Sequence, residues 1–389
     1  MRIAIFSDSA LPILNGVSVS IDALIRELRN QGHSVHLFTT AYPRYRDPDP
    51  NVYRFRALEM PWSKGYPLAV PPFYRMLLRF RRRQFDVIHT HTPFTIGLVG
   101  LRWAESHDLP IVSTYHTLYD RYAHYIPLFP RRYVRYRIAK HTNFYYSRVD
   151  RVITPSDAAS RWLRRHAVHT PIDVVPTGVA RGAPHERAEA RMQLGIPPEQ
   201  RVLLYVGRLA AEKNLDLLFA AAASAFRQDP NLRLWLVGDG SYRAECARIA
   251  RDLGIGDRVR FVGLVPRADV DLYYAAADLF LFTSLTETQG LVVLEAFNYG
   301  VPAVVAAGGG AGEWIRPGEN GFLVRADART LASRVLDVLG DDTLHATLAE
   351  GARRTARDQG PERMAELVVE SYRRAIESRE RTERSAVLV

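Results

Sequence analysis

The chain has 389 residues, 47% of them hydrophobic and 10% aromatic, more than one hydrophobic core usually organises, which predicts two globular domains. Its single cysteine, Cys246, excludes an internal disulfide and a cysteine-based zinc cluster, and within a helical segment it reads as a packed thiol. The net charge of +10 belongs to the first half, since residues 1–180 hold 25 lysines and arginines against 13 acids and residues 181–389 hold 27 against 29. Such a basic half suits nucleic acid, anionic lipid or an acidic substrate, and charge alone does not choose.

The run Met1-Arg2-Ile3-Ala4-Ile5-Phe6-Ser7-Asp8 lacks the long apolar core of a signal peptide and reads as a buried strand over Arg2–Ser7. No stretch approaches the roughly 18–20 apolar residues of a membrane-spanning helix, so a cytoplasmic chain is expected, one that can still lie on the inner face of the cell membrane. Leu14-Asn15-Gly16-Val17 is a turn signal that opens a helix over Val17–Leu28 with no side chain in the way, where a phosphate or sugar could approach. Gly32 ends that helix, and Ser34–Thr39 is the next strand. Asp47-Pro48-Asp49 has the spacing of a metal-binding pair but lies in a proline-rich loop, and it is read as a turn with no metal. Further short apolar strands fall at Val87–His89, Ile111–Tyr115 and Arg151–Thr154.

A polar connector from Ala180 to about Gln200 precedes a second series of strands at Arg201–Val206, Arg233–Val237, Arg258–Val262, Leu279–Phe282 and Ala303–Ala306. Helical segments alternate with the strands throughout. This predicts an α/β protein of two Rossmann-like doubly wound domains facing a central cleft, with ligands at the carboxyl ends of the strands. The domains are expected at 1–180 and 181–360, with 361–389 forming an amphipathic helix that packs back on the first domain and a polar tail.

Two segments at strand exits carry chemistry. In Thr283-Ser284-Leu285-Thr286-Glu287-Thr288-Gln289-Gly290-Leu291-Val292-Val293-Leu294-Glu295, a polar loop leads into a helix near Gly290. The glycine lets a phosphate reach the N–H groups of Leu291 and Val292, while Glu287 and Glu295 can reach the sugar and ribose of one donor. Alone, the segment reads equally well as a surface carboxylate and an ordinary helix start. Gly207-Arg208-Leu209 and Lys213, at the end of another buried strand, supply two cations suited to a pyrophosphate.

Glu287 and Glu295 with seven residues between them resemble the signature of the family 4 retaining glycosyltransferases, which have the two-domain GT-B fold. So do the Gly-Arg-Leu...Glu-Lys-Asn run at 207–214, Asn15-Gly16, Val237-Gly238-Asp239-Gly240 and Phe261-Val262-Gly263, in the expected order from Arg2 to about Val324. The resemblance implies an acceptor-binding first domain and a nucleotide-sugar-binding second one. It implies that Arg208 and Lys213 hold the donor diphosphate, Glu287 the transferred sugar and Glu295 the ribose, with Gly16, Thr288, Gln289 and the backbone at 290–292 completing the donor site. His116, just after a strand, falls where members place a histidine near the reacting centre; a lone histidine is otherwise a hydrogen-bonded structural residue. Retention of configuration, no metal and no cofactor beyond the nucleotide-sugar follow from the same resemblance.

Gln289 stands where the commoner loop of the family has Phe. Glu-Thr-Gln-Gly-Leu looks more like the branch that glycosylates diacylglycerol, as does Tyr115-His116-Thr117-Leu118-Tyr119 followed by Tyr122, His124 and Tyr125. A membrane acceptor also suits two clusters of cations among apolar and aromatic residues. One holds Arg75, Arg79, Arg81, Arg82 and Arg83, the other Arg131, Arg132, Arg135, Arg137 and Lys140 beside Tyr133, Tyr136, Phe144, Tyr145 and Tyr146. Solvated helix faces over core aromatics would look similar, and no recognised nucleic-acid module accompanies the runs. The expected activity is transfer of a hexose, glucose from UDP-glucose, to a lipid such as diacylglycerol. The rivals are a GDP-mannose- or UDP-sugar-dependent transferase acting on phosphatidylinositol or a soluble sugar, and a catalytically idle nucleotide- or lipid-binding protein.

Overall fold

The computed structural model describes residues 1–13, 15–58, 68–70, 73–118 and 130–387. They divide into two units, Met1–Gly178 with Pro361–Val389, and Val179–Gly360.

The first unit runs β1 (Arg2–Ser7), α1 (Gly16–Asn30), β2 (Ser34–Thr40), β3 (Val52–Phe55), β4 (Ala57–Leu58), β5 (Leu68–Ala69), α2 (Tyr74–Arg81), β6 (Val87–Thr90) and α3 (Thr95–His107). It continues through β7 (Ile111–Thr114), α4 (Arg131–Tyr146), β8 (Arg151–Thr154), α5 (Asp157–Arg165) and β9 (Ile172–Val174). Seven strands pair in parallel in the order β3-β2-β1-β6-β7-β8-β9. Ile3, Ala4, Ile5 and Phe6 are all fully buried, because helices cover both faces of a parallel sheet and its strands are apolar on both sides. Side chains alternate along β1: Ala4 and Phe6 join a core with Phe38, Phe80 and Trp103, while Ile3 and Ile5 join one with Ile21, Leu24 and Leu28 of α1. That second core is completed by Met364, Ala365, Val368, Val369 and Tyr372. They lie on α13 (Pro361–Val387). Asp47 and Asp49 serve as ion-pair partners of Arg54 and Arg29 respectively, the latter at 2.7 Å. Among the described residues no cluster of His, Cys, Asp or Glu could hold a metal.

The second unit holds α6 (Arg187–Gln193), β10 (Arg201–Val206), α7 (Leu215–Phe226), β11 (Leu232–Val237), α8 (Arg243–Asp252), β12 (Val259–Gly263) and α9 (Arg267–Ala276). It closes with β13 (Leu279–Phe282), α10 (Leu291–Asn298), β14 (Ala303–Ala306), β15 (Gly321–Val324), α11 (Ala328–Gly340) and α12 (Asp342–Asp358). Its parallel sheet has the order β12-β11-β10-β13-β14-β15. Cys246, on the buried face of α8, has its thiol pushed up to about 12 by burial, as expected of an inert packed cysteine. The connector expected over 180–200 contains α6. Only Ala190 of that helix is buried, too little for an apolar period, and the helix is held by charge, with Arg187 and Arg191 both on Asp278 at 2.5 and 3.1 Å.

Candidate active site

In the second unit the strand order reverses between β10 and β13, and an open parallel sheet offers ligands the crevice beyond the carboxyl ends at such a point. The loops leaving these two strands carry Arg208, Lys213, Glu287, Thr288, Gln289 and Gly290 of the residues expected at the donor site. After β10, Gly207 takes φ +150° and its N–H donates to the carbonyl of Val237 at 2.9 Å. A Cβ on Gly238 would lie 2.1 Å from the Gly207 carbonyl oxygen, so glycine there lets the two strand exits cross closely. Residues Ala211–Lys213 then form a single 3-10 turn. Arg208 donates to Glu212 at 2.5 Å, and Lys213 Nζ donates to Glu287 Oε1 at 2.5 Å. The Lys213–Glu287 pair therefore ties the loop after β10 to the loop after β13, directly over the switch point. It is largely sheltered, the two side chains being 13% and 21% exposed, which strengthens the attraction. Hydrogen bonds from Thr283 Oγ1 to the Asn214 carbonyl (3.0 Å) and from Thr286 Oγ1 to the Glu212 carbonyl (3.1 Å) clamp the same two loops.

Gly290 begins α10 with φ +72°, and a Cβ there would sit 2.6 Å from that of Ala311. No side chain caps this end, and the N–H groups of Leu291 and Val292, in the first turn, have no acceptor within the helix. Such an end, with its positive dipole, attracts an anion. Thr288 and Gln289 are held from below by a stretch passed over in the sequence, Gly308-Gly309-Gly310. The N–H of Gly310 donates to the Glu287 carbonyl at 2.9 Å, and a Cβ on it would lie 2.0 Å from the Thr288 oxygen. The glycine run after a strand was the visible signal. Trp314 Nε1 donates to the Gln289 carbonyl at 2.8 Å, and the Gln289 side chain is buried. Glu295 stands apart from the Lys213–Glu287 pair; it accepts from Arg267 at 2.9 Å and from the Tyr274 hydroxyl at 2.8 Å, neither partner anticipated. A cavity of about 860 Å³ lies at the amino ends of β10 and β13, beside Arg187, Arg201, Asp278 and Arg353, and none of these groups lines it.

In the first unit the order reverses between β1 and β6. Asp8, at the end of β1, caps α3 by accepting from Thr92 Oγ1 (2.6 Å), Thr95 Oγ1 and the Ile96 N–H (3.0 Å). The unobstructed start expected for α1 is corrected. Asn15 Oδ1 accepts from the N–H groups of Val17 and Ser18 at 3.0 and 2.9 Å, so the end is already capped. A Cβ on Gly16 would nonetheless meet no atom within 4 Å. His116, after β7, is half-buried and its Nε2 meets Nδ1 of His91 at 2.8 Å. His89, two residues before His91, is bonded through Nδ1 to Tyr372 Oη and through Nε2 to Thr114 Oγ1, both at 2.7 Å. Burial lowers His89 to about 3, His116 to about 4, and His91 well below its ordinary value, so all three rings are neutral at neutral pH. His89 and His91 were not singled out in the sequence.

Of the expected acceptor and membrane residues, Tyr119 and Tyr125 lie outside the described residues. Arg131, Arg132, Arg135, Arg137 and Lys140 all project from α4 into solvent with Tyr133, Tyr136 and Phe144, and the helix contains no acid. Tyr145 and Tyr146 are corrected to core residues, fully buried, with the Tyr145 hydroxyl on Thr90 Oγ1 at 2.8 Å. Arg75 and Arg79 of α2 and the following Arg82 are exposed beside Tyr74 and Leu78. No described helix is long and apolar enough to cross a membrane.

Known proteins match this arrangement along the chain. Residues 14–181 fit the model for "Glycosyltransferase Family 4" and residues 186–355 that for "Glycosyl transferases group 1". An alpha-monoglucosyldiacylglycerol synthase of Streptococcus pneumoniae is 35% identical over 78% of this chain and 70% of its own. A D-inositol 3-phosphate glycosyltransferase of Thermobispora bispora is 30% identical over 94% and 91%. Among solved structures, the sucrose-phosphate synthase of Thermosynechococcus elongatus superposes with a TM-score of 0.78 at 26% identity, covering 97% of this chain and 100% of that one.

Proposed function

Since the chain belongs to glycosyltransferase family 4, we propose that it is a retaining, metal-independent enzyme that transfers glucose from UDP-glucose to a membrane lipid such as diacylglycerol. The observation that carries the donor half is the Lys213–Glu287 pair over the switch point of the second sheet, beside the uncapped start of α10. An ammonium has three N–H donors, so Lys213 can keep Glu287 and still meet a phosphate oxygen. Arg208 and the N–H groups of Leu291 and Val292 supply the remaining positive charge for the leaving diphosphate. Glu287 takes the transferred sugar. Glu295, whose carboxylate spends two of about four acceptor sites on Arg267 and Tyr274, takes ribose hydroxyls with the others. Thr288 and the Gly290 backbone line the donor. Attack comes from the face the diphosphate leaves, and the diphosphate accepts the acceptor's proton, so charge stabilisation and positioning suffice without a separate strong base.

The lipid half rests on the acid-free, basic and aromatic face of α4, with Arg79 of α2 and the following Arg82, as an electrostatic platform for an anionic bilayer on the inner side of the membrane. It is also supported by the name of the relative that is 35% identical. A soluble acceptor is the second reading, favoured by the inositol-phosphate relative at 30% identity over nearly the whole chain. A panel of UDP- and GDP-sugars, each with diacylglycerol vesicles or inositol phosphate and read by mass spectrometry, separates the two. The lipid reading requires a hexosyl-diacylglycerol product from a UDP-sugar; a product on inositol phosphate alone overturns it.

A further inference from the structure

Glu295 lies one helical turn beyond Leu291 on α10, so its side chain stands on the same face as the free N–H groups at the start of that helix. A carboxylate and an anion site placed this way can address neighbouring parts of one nucleoside diphosphate. The Glu295 side chain has three rotatable bonds and is 17% exposed, and two donors meet it. The Tyr274 hydroxyl donates to Oε2 at 2.8 Å, and Arg267 donates to Oε1 at 2.9 Å. The two holds differ in kind. Arg267 is 48% exposed, and its guanidinium also lies 3.9 Å from Asp271, so one surface cation is shared between two carboxylates. Exposed pairs of this sort hold a side chain only loosely. Tyr274 has no exposed surface. Its ring lies parallel to that of Tyr299, at 6.1 Å and 5°, and tilted against Phe280, at 6.1 Å and 44°, which fixes the place of its hydroxyl. Burial, together with the charge of Glu295, pushes that hydroxyl well above its ordinary pKa and keeps it a donor at any working pH.

We propose that Tyr274 is a positioning residue for the donor: its hydroxyl pins Glu295 Oε2, so that the carboxylate meets the two neighbouring hydroxyls of a ribose and the protein rejects nucleotides that lack them. A carboxylate has about four acceptor sites, and the bonds to Tyr274 and Arg267 use one on each oxygen, leaving one on each for the diol. Ordering a long side chain costs entropy, and with Tyr274 in place that ordering precedes binding. This role rests on the reading that Glu295 takes the ribose. It is independent of the base, since UDP and GDP share that sugar.

Titration calorimetry of the full chain with UDP and with dideoxy-UDP, which lacks both ribose hydroxyls, isolates the contribution of the diol. Wild type is expected to bind UDP about 10- to 100-fold more tightly, the range of a hydrogen bond to a charged group. Tyr274→Phe keeps the ring and its stacking and removes only the donor. It should cut that ratio by at least about fivefold, weakening UDP and leaving dideoxy-UDP nearly unchanged. A merely structural role would weaken both nucleotides alike and preserve the ratio, which would overturn the proposal. Arg267→Gln, a surface change, should hold the ratio within about threefold of wild type. Its collapse in that variant would make the arginine the orienting group and likewise overturn the role of Tyr274. In transfer assays Tyr274→Phe should raise KM for the donor with kcat within about threefold; a fall in kcat at unchanged KM contradicts positioning of the ribose. Glu295→Ala separates the proposal from the reading beneath it. If that variant loses the discrimination while Tyr274→Phe keeps it, only the role of Tyr274 falls. If wild type binds both nucleotides equally, Glu295 does not take the ribose and both fall.

Discussion

Glu287 and Lys213 are 74 residues apart in sequence, yet their side chains share one short, sheltered ion pair. Each residue type is legible at its own strand exit; the pairing is not, because it depends on β10 and β13 lying side by side in the sheet. The same applies to Arg267 and Tyr274 on Glu295, and to His91 on His116, contacts spanning 21 to 28 residues that no local pattern encodes. If Glu287 acts on the transferred sugar, Glu287→Ala should lower the transfer rate by about 100-fold or more while UDP affinity, by titration calorimetry, stays within about threefold. Transfer persisting at near wild-type rate would remove Glu287 from that role. A parallel fall in nucleotide affinity would show instead that its work is to hold Lys213 in place.

The loop between β13 and α10 is shaped by glycines whose replacement has calculable consequences. Gly290→Ala puts a Cβ 2.6 Å from that of Ala311 on a backbone with φ +72°. The substitution should cost about 1–3 kcal/mol in unfolding and weaken UDP binding, since the start of α10 must shift. An unchanged melting temperature with unchanged affinity would contradict that geometry. At the other end of the chain, the stripe Met364, Ala365, Val368, Val369 and Tyr372 makes α13 part of the first unit's core. Tyr372→Phe keeps the packing and leaves buried His89 Nδ1 without its hydroxyl, an expected loss of about 1–2 kcal/mol by denaturant titration. Elements with continuous apolar runs, such as β1, β10 and β13, are plain in the sequence. Those missed are short or edge-lying: β3 with Arg54 between two buried aromatics, β9 with its half-buried Ile172 and Asp173, and α6 with one buried residue. Their stability comes from neighbours, ion pairs included, and a periodicity reading sees only what an element buries by itself.

Across the whole molecule the basic excess of residues 1–180 is concentrated in part on α4, where five cations stand without an acid. Replacing Arg131, Arg132 and Arg135 together by Ser should abolish flotation with anionic vesicles and leave the fold intact by circular dichroism; undiminished flotation would move membrane binding elsewhere. Folding stability should also respond to acid. His89 and His91 have lowered pKa values because burial penalises their charged forms, so below about pH 6.5 the unfolded chain binds protons that the folded one refuses. Stability is therefore complete above that pH and is lost as pH falls towards the His89 value of about 3, by up to about 1.4 kcal/mol per pH unit for each ring. A melting temperature at pH 5 equal to or above that at pH 7.5 would refute this. The central claim, retaining transfer of glucose to a lipid, is tested most directly by supplying UDP-glucose and diacylglycerol in anionic vesicles and determining the anomeric configuration of the product by proton NMR. The account predicts an α-glucosyl-diacylglycerol, keeping the donor's configuration. A β-linked product, or none on lipid while a soluble acceptor is glycosylated, would contradict it.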